Sequence, residues 1–435
     1  MAGARYVVLG LAPARSPWFG ALGQWAISGS VPVEFVKCVS ADEVRARLVG
    51  GRAASALVVD AAMPSVDRDL LAAAEHCGCA CLVVDDPRVK RDWLALGASW
   101  VLKSGFGRDE LLGALAAHAR MVVRADCDTD AAVASPGLPV TPSSWRCPLV
   151  AVVGPGGTGA STAAIALAQA LGDDIRYSGL VLLADLKLHA EQAMLHDAGD
   201  VVPGVQELVE AHRVGQPMAD DVRAMAFHVV DRQYHLLLGL RHARFWSTVR
   251  PRAFEAALES VQQAFRMIVC DVDPDLEGED EGGSFDVEER HVMARTVARR
   301  ADVVLAVGRP TMKGLHALVR VLSAVLDFGV PPSRVVQVVN GAPRSARARA
   351  VVVKALAELA GHDEGLAAPV FLPERKGVDD VLRDGGRLPA AIGAPLAGCV
   401  QALLVRNEAP LPVTVPEQVR PGSLGRWAEP ELLGG

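Results

Sequence analysis

Within residues 151–171, AVVGPGGTGASTAAIALAQAL, the glycines Gly154, Gly156, Gly157 and Gly159 stand between an apolar run and a helix-forming stretch. Glycine reaches positive φ at no steric cost, so such a turn can aim successive backbone N–H groups at one anion. The helix that opens near Ser161 adds the positive end of its dipole at the same spot. With Thr158 and Thr162, these residues read as a phosphate cradle. Ser161 stands where such loops place the hydroxyl that reaches Mg²⁺. A glycine-rich strand-to-helix turn that binds nothing is the competing reading.

The spacing Gly154-x-x-x-x-Gly159-Ala160-Ser161 is that of G-x-x-x-x-G-K-[ST] with alanine at the lysine position. The stretch resembles the deviant loop of the MinD/ParA ATPase family, K-G-G-x-G-K-[ST]-T, whose leading lysine reaches across a dimer. Pro155 occupies that leading position, so both lysines are absent. A lost charge-assisted hydrogen bond of roughly 1.5–3 kcal/mol weakens phosphate binding by about 10- to 150-fold. Loss of a cation that acts in the transition state costs roughly 10³–10⁵ in rate.

Further residues follow at the ends of apolar runs. Residues 179–185 end in Asp185-Leu186-Lys187, where the family has D-x-D. The resemblance implies that Asp185 supports the metal's water shell, whereas the acid that orients the attacking water has become Lys187. A lysine cannot do that task. It either lies solvated at the loop mouth or brings an ammonium near the phosphates, partly replacing the missing loop lysine. Residues 267–270 run into Asp271-Val272-Asp273-Pro274, which resembles the family's D-x-P-P switch and implies a metal role for Asp271. Asp271 and Lys187 are the catalytic candidates. Asn340, ending the run 334–340, is implied to read the adenine edge, although a strand-end asparagine also suits a turn. Pro373, in Phe371-Leu372-Pro373, is implied to flank the base. The implied cofactors are ATP or ADP with Mg²⁺.

These residues need strands to carry them. Residues 6–11, 33–39, 56–60, 79–85 and 100–103 are apolar and β-prone, and residues 41–48, 67–76, 88–96 and 108–119 have helical periodicity. Five such units predict a doubly wound parallel sheet. Asp60-Ala-Ala-Met63-Pro64-Ser-Val-Asp67 resembles the phospho-acceptor turn of response-regulator receiver domains, with Asp60 at the acceptor position. Gly97-Ala98-Ser-Trp-Val-Leu-Lys103 resembles their G-A-x-x-Y-L-x-K segment, with the lysine one residue early. Receivers hold Mg²⁺ with an acidic pair after the first strand, and here that place reads Leu9-Gly10-Leu11. Asp60 is therefore expected to stay unphosphorylated, in a docking or dimerisation domain.

Residues 201–212, 251–265 and 313–328 read as helices, and residues 235–240, 301–309 and 334–340 as strands, giving a second doubly wound α/β domain. The expected division is a receiver-like domain at 1–121, a linker at 122–147, a MinD/ParA-like domain at 148–406 and a tail at 407–435. Residues 273–289 carry nine acids with glycine and serine, the signature of a solvated loop.

With 435 residues and 51% apolar content, the chain can bury two or three cores. A net charge of −7 without a basic run gives no clear DNA-binding signal. No signal peptide or membrane span stands out, so a cytoplasmic protein is expected. The spacing Cys77-x-Cys79-x-Cys81 reads as core packing, since free cysteine behaves as a small apolar residue. A receiver-like domain ahead of a MinD/ParA-like one resembles the CpaE/TadZ localisation proteins of tight-adherence pilus systems and their Ssd-like, septum-site-determining cousins. That resemblance implies a homodimer recruited to a pole, septum or membrane face, with pilus, secretion or cell-division partners and weak or absent hydrolysis.

Overall fold

The computed structural model describes residues 5–50, 53–122, 145–177, 179–278, 285–360 and 365–407. Most of the expected linker, most of the tail and residues 279–284 of the acidic segment lie outside them.

Two sheets carry the chain. The first contains β1 (Tyr6–Leu11), β2 (Val33–Cys38), β3 (Ala56–Asp60), β4 (Ala80–Val84) and β5 (Trp100–Leu102), all parallel, in the order β2-β1-β3-β4-β5. This is a doubly wound order, with the strand sequence reversing between β1 and β3. β1, β3 and β4 are buried along their whole length, as near-continuous apolar strands covered on both faces must be.

Two segments differ from expectation. Residues 88–96 form turns rather than a helix. Asp92 closes an Asx turn onto Ala95 N at 3.0 Å, and Arg91 reaches across to Val66 O at 3.0 Å, so local side-chain bonds replace a helical ladder. Conversely, Pro17–Ile27 is a helix that the periodicity did not mark, because it is apolar around much of its circumference. Its start was written in Ser16-Pro17, with proline at the first helical position.

The second sheet has eight strands: β6 (Leu149–Val153), β7 (Val181–Leu186), β8 (Phe227–Val229), β9 (Tyr234–Leu237), β10 (Met267–Val272), β11 (Val303–Gly308), β12 (Val335–Ala342) and β13 (Val370–Pro373). Their order is β13-β12-β11-β6-β10-β7-β9-β8, and only the edge pair β8–β9 is antiparallel. The glycine loop therefore leaves the middle of the sheet, with β10 and β11 on either side of β6.

The helix Ala160–Gly172 that follows the loop is almost wholly buried and rich in alanine. Small side chains let neighbouring backbone approach: a Cβ at Gly393 would collide with Ala166 O. Gly393 belongs to the helix Ala390–Asn407, the one helix among the described residues long and apolar enough to cross a membrane by composition. Its Ile392, Leu396, Val400 and Leu403 instead pack into the core on this face of the sheet.

The two sheets meet through the helix Arg68–His76, which Asp67 caps by accepting Leu70 N at 3.0 Å. Arg213 Nη1 pairs with Asp67 Oδ2 at 3.0 Å, and Arg68 Nε donates to His212 O at 3.0 Å. Asp69 accepts the backbone N–H groups of Arg252 and Ala253. The residues just after the Asp60 turn thus dock on the helices Val205–Val214 and Pro251–Ala264 of the second sheet. Cys79 and Cys81 are buried in the first sheet's core, where desolvation pushes the Cys81 thiol up to about 12, while Cys77 is exposed.

Candidate functional site

β6 ends at Val153, and the chain turns at once. Gly154 has no room for a side chain, because a Cβ there would lie 2.7 Å from Val307 O and 2.8 Å from Thr158 Oγ1. Thr158 closes the turn on Pro155 O twice, from its N–H at 3.2 Å and from its hydroxyl at 2.7 Å. Gly157 and Gly159 take φ of 78° and 86°, and Gly159 is the left-handed N-cap of the helix Ala160–Gly172. Gly156 is different: it is exposed, and a Cβ there would meet nothing within 4 Å.

The loop opens into a cavity of about 1520 Å³ lined by Pro155, Gly156, Gly157, Gly159, Ser161 and Thr162. Arg309, Arg344, Arg375 and Lys376 also line it, with Glu374 3.9 Å from Arg309 Nη2. Ala160, in the missing lysine's place, is buried. The loop thus has no cation of its own, and the positive charge around it comes from Lys187 and these lining side chains.

Asp185 and Asp271 are paired in register on the adjacent strands β7 and β10, and both are fully buried. Gln192 bridges them. Its backbone N–H donates to Asp185 Oδ2 at 2.8 Å, and its Nε2 donates to Asp271 Oδ2 at 2.7 Å. Burial, followed by the neighbouring Asp271 charge, raises the Asp185 carboxyl to about 7.

Lys187 departs most from the solvated lysine that the sequence allows. Its side chain is only 12% exposed, and its ammonium lies between two oxygens, 2.8 Å from Ser161 Oγ and 2.9 Å from Asp271 Oδ1. The contact with Asp271 is an ion pair rather than a directed hydrogen bond, and Oδ1 accepts no other. The segment is held from below as well: Leu188 N donates to Asp273 Oδ2 at 2.7 Å.

Ser161, Asp185 and Asp271, the residues expected to hold Mg²⁺, come together below the loop with Lys187 among them. The space between Ser161 Oγ and Asp271 is taken by Lys187 Nζ, and Asp185 is turned to Gln192 and the Lys187 backbone. The ammonium also sits at Ser161 rather than at the position of Ala160, so it does not replace the loop lysine in place.

Asn340 and Pro373 both line the cavity. Asn340 Nδ2 donates to Thr158 O at 2.9 Å and packs directly on Gly159, so this amide braces the loop. Sequence reading missed Gln192, whose type and spacing carry no signal. It also missed Arg309 and Lys376, each of which follows a strand end and could have been suspected from that place.

At the turn after β3, Asp60 Oδ2 accepts Ser16 Oγ and Trp18 Nε1, both at 2.9 Å, and Oδ1 accepts Ala62 N at 3.0 Å. The carboxylate ties the helix Pro17–Ile27 to the end of β3. No group of three or more metal-ligating side chains occurs among the described residues.

No protein-family model matches the chain, and no curated protein matches it. Solved structures do. A ParA family ATPase from Chlorobium tepidum is 16% identical with a TM-score of 0.46, covering 60% of this chain and 99% of that one. The cell division ATPase MinD of Pyrococcus furiosus is 18% identical with a TM-score of 0.43, covering 59% and 99%. A cobyrinic acid a,c-diamide synthase from Mycobacterium smegmatis, solved with ADP and magnesium, is 18% identical with a TM-score of 0.39, covering 59% and 94%. By their titles the first two are ATPases, of the ParA family and MinD, and the third is a synthase.

Proposed function

We propose that the unit spanning 148–406 binds a nucleoside di- or triphosphate at the loop 154–162, and that the chain works as a nucleotide-responsive positioning scaffold. The observation that carries this reading is the loop. It holds two left-handed glycines, a buried serine and a helix N-terminus, and it opens on a cavity also lined by Arg309, Arg344, Arg375 and Lys376. Backbone N–H groups and a helix dipole bind phosphate without a lysine, at lower affinity. Asn340 and Pro373 line the same cavity, and in this reading they lie beside the base.

Turnover is weak or absent in this reading. The position that would orient a water carries Lys187, and Asp271 is committed to that lysine. The working form is a dimer that marks a pole, septum or membrane face for pilus, secretion or division machinery, as in the CpaE/TadZ proteins. The receiver-like unit at 1–121 serves there as a docking module, with Asp60 as a structural acceptor.

The test is calorimetric titration of the full chain with ATP and ADP, reading oligomeric state in the same samples. Saturable binding with an ATP-dependent dimer is the expected result. No binding at millimolar nucleotide would overturn it. Steady hydrolysis by the isolated protein would replace the scaffold with an active ATPase.

A further inference from the structure

Lys187 is held in a place that a solvated side chain would not choose. Its ammonium has two oxygen partners, Ser161 Oγ at 2.8 Å and Asp271 Oδ1 at 2.9 Å. An ammonium has three donors, and among the described residues only the bond to Ser161 is a directed hydrogen bond. The side chain is 12% exposed and belongs to the lining of the cavity that the glycine loop also lines. Asp185 and Asp273 fix the backbone on either side, accepting Lys187 N at 3.4 Å and Leu188 N at 2.7 Å. This lysine is positioned.

A divalent ion does not fit beside it. Mg²⁺ sits at about 2.0–2.1 Å from its oxygen ligands and demands a near-ideal octahedron. An ion on Ser161 Oγ would have to share the space between that oxygen and Asp271 with Lys187 Nζ. Asp271 cannot give both its oxygens to water either, because Gln192 Nε2 occupies Oδ2 at 2.7 Å. The donor set that would hold a hydrated ion is already closed around an ammonium.

We propose that Lys187 is a built-in replacement for the divalent cation, and that the loop takes its nucleoside polyphosphate free of metal. A free N–H of the ammonium then points to a phosphate oxygen at the mouth of the loop, while the bond to Ser161 and the ion pair with Asp271 hold the ammonium in place. One positive charge stands where a metal would bring two, and Arg309, Arg344, Arg375 and Lys376 along the cavity supply the remainder. The inference rests on the nucleotide reading above and adds to it the form in which the ligand binds.

The experiment is a titration of the full chain with ATP and ADP in excess EDTA, repeated with Mg²⁺ in excess over nucleotide. The expected dissociation constants in EDTA are equal to those in Mg²⁺ or tighter, because chelated nucleotide carries less negative charge to the ammonium. Affinity weakened by about tenfold or more in EDTA, roughly a 1.4 kcal/mol loss, overturns the inference and leaves the nucleotide reading standing. Absence of binding in both buffers overturns both. Lys187→Ala supplies the converse: with the ammonium gone, binding should become dependent on Mg²⁺, and Mn²⁺ with nucleotide should give a bound-metal spin-resonance signal that the unaltered chain lacks. A bound-Mn²⁺ signal from the unaltered chain at the same strength would overturn the inference, and that measurement does not require the variant to fold.

Discussion

Asp69 caps a helix of the other sheet: its Oδ1 accepts the backbone N–H of Arg252 at 2.8 Å, and its Oδ2 accepts Ala253 N at 3.2 Å. The helix Pro251–Ala264 begins with proline at its first position and has no cap from its own segment. Its free N–H groups are therefore satisfied from a helix some 180 residues earlier in the chain. Desolvation raises the Asp69 carboxyl, a sign that the contact is closed to water.

Removing that cap should loosen the contact between the sheets without unfolding either. Asp69→Ala deletes both acceptors and is expected to cost about 1–2 kcal/mol, as N-cap losses do. Asp67→Ala removes the α-helical cap of Arg68–His76 as well as the partner of Arg213, so it should cost somewhat more. Denaturant unfolding followed by two probes, one in each sheet, checks this. The unaltered chain should give coincident transitions and Asp69→Ala separated ones.

The glycines of the loop do different work, and substitution separates them. At Gly156 a Cβ meets nothing, so Gly156→Ala should fold with stability within about 0.5 kcal/mol of the parent. The added methyl would project into the cavity and should weaken nucleotide binding by an order of magnitude or more. Gly159→Ala forces a side chain into φ of 86° against Asn340 and should cost about 1–3 kcal/mol of stability. Thermal unfolding and nucleotide titration on the two variants should give opposite rankings.

His196 makes the neighbourhood of the site sensitive to acid. Gln192 O can only accept, so His196 Nδ1 carries the proton in their 2.7 Å bond, and Nε2 accepts from Tyr234 Oη at 2.6 Å. Burial, aided by the Arg232 charge, lowers the imidazole to about 4. The folded state therefore holds His196 neutral where the unfolded chain, at about 6.5, takes a proton. Its stabilisation is complete above pH 6.5, falls as pH drops from there, and is lost by about pH 4, up to roughly 3 kcal/mol in all. Urea midpoints measured across that window should slope for the parent and flatten for His196→Gln.

Much of this architecture is written in local pattern. The strand ends at Leu11, Asp60 and Val153 fall where the apolar runs stop, because a buried parallel strand must be apolar throughout and a turn must not. The glycine loop is legible for the same reason: positive φ is a property of the residue itself. The helix Pro17–Ile27 escaped because its apolar residues lack a stripe, and the turns at 88–96 because Asp92 and Arg91 bond locally where periodicity suggests a helix. The candidate site was legible as a set of strand ends but not as chemistry. Nothing in Asp185-Leu186-Lys187 says that the lysine folds back between Ser161 and Asp271, or that Gln192 closes the pair of acids from the other side. Those are facts of three-dimensional assembly, fixed only when β6, β7 and β10 stand side by side.

The Lys187–Asp271 pair can be weighed apart from any ligand. Asp271 is fully buried, and removing its cation leaves an uncompensated charge beside Asp185. Breaking such a pair costs about 3–5 kcal/mol, whereas replacing both members with neutral groups of similar shape is often close to neutral. Lys187→Met should therefore destabilise the chain strongly, and Asp271→Asn nearly as much, since it strands a mostly buried ammonium. The double variant Lys187→Met with Asp271→Asn should recover most of the loss, keeping Gln192 within reach of an amide oxygen. A double-mutant cycle in urea measures the coupling directly. Additive losses, with no recovery in the double variant, would show that Lys187 and Asp271 act separately and that the ammonium is not the counter-charge that allows two acids to lie buried in one site.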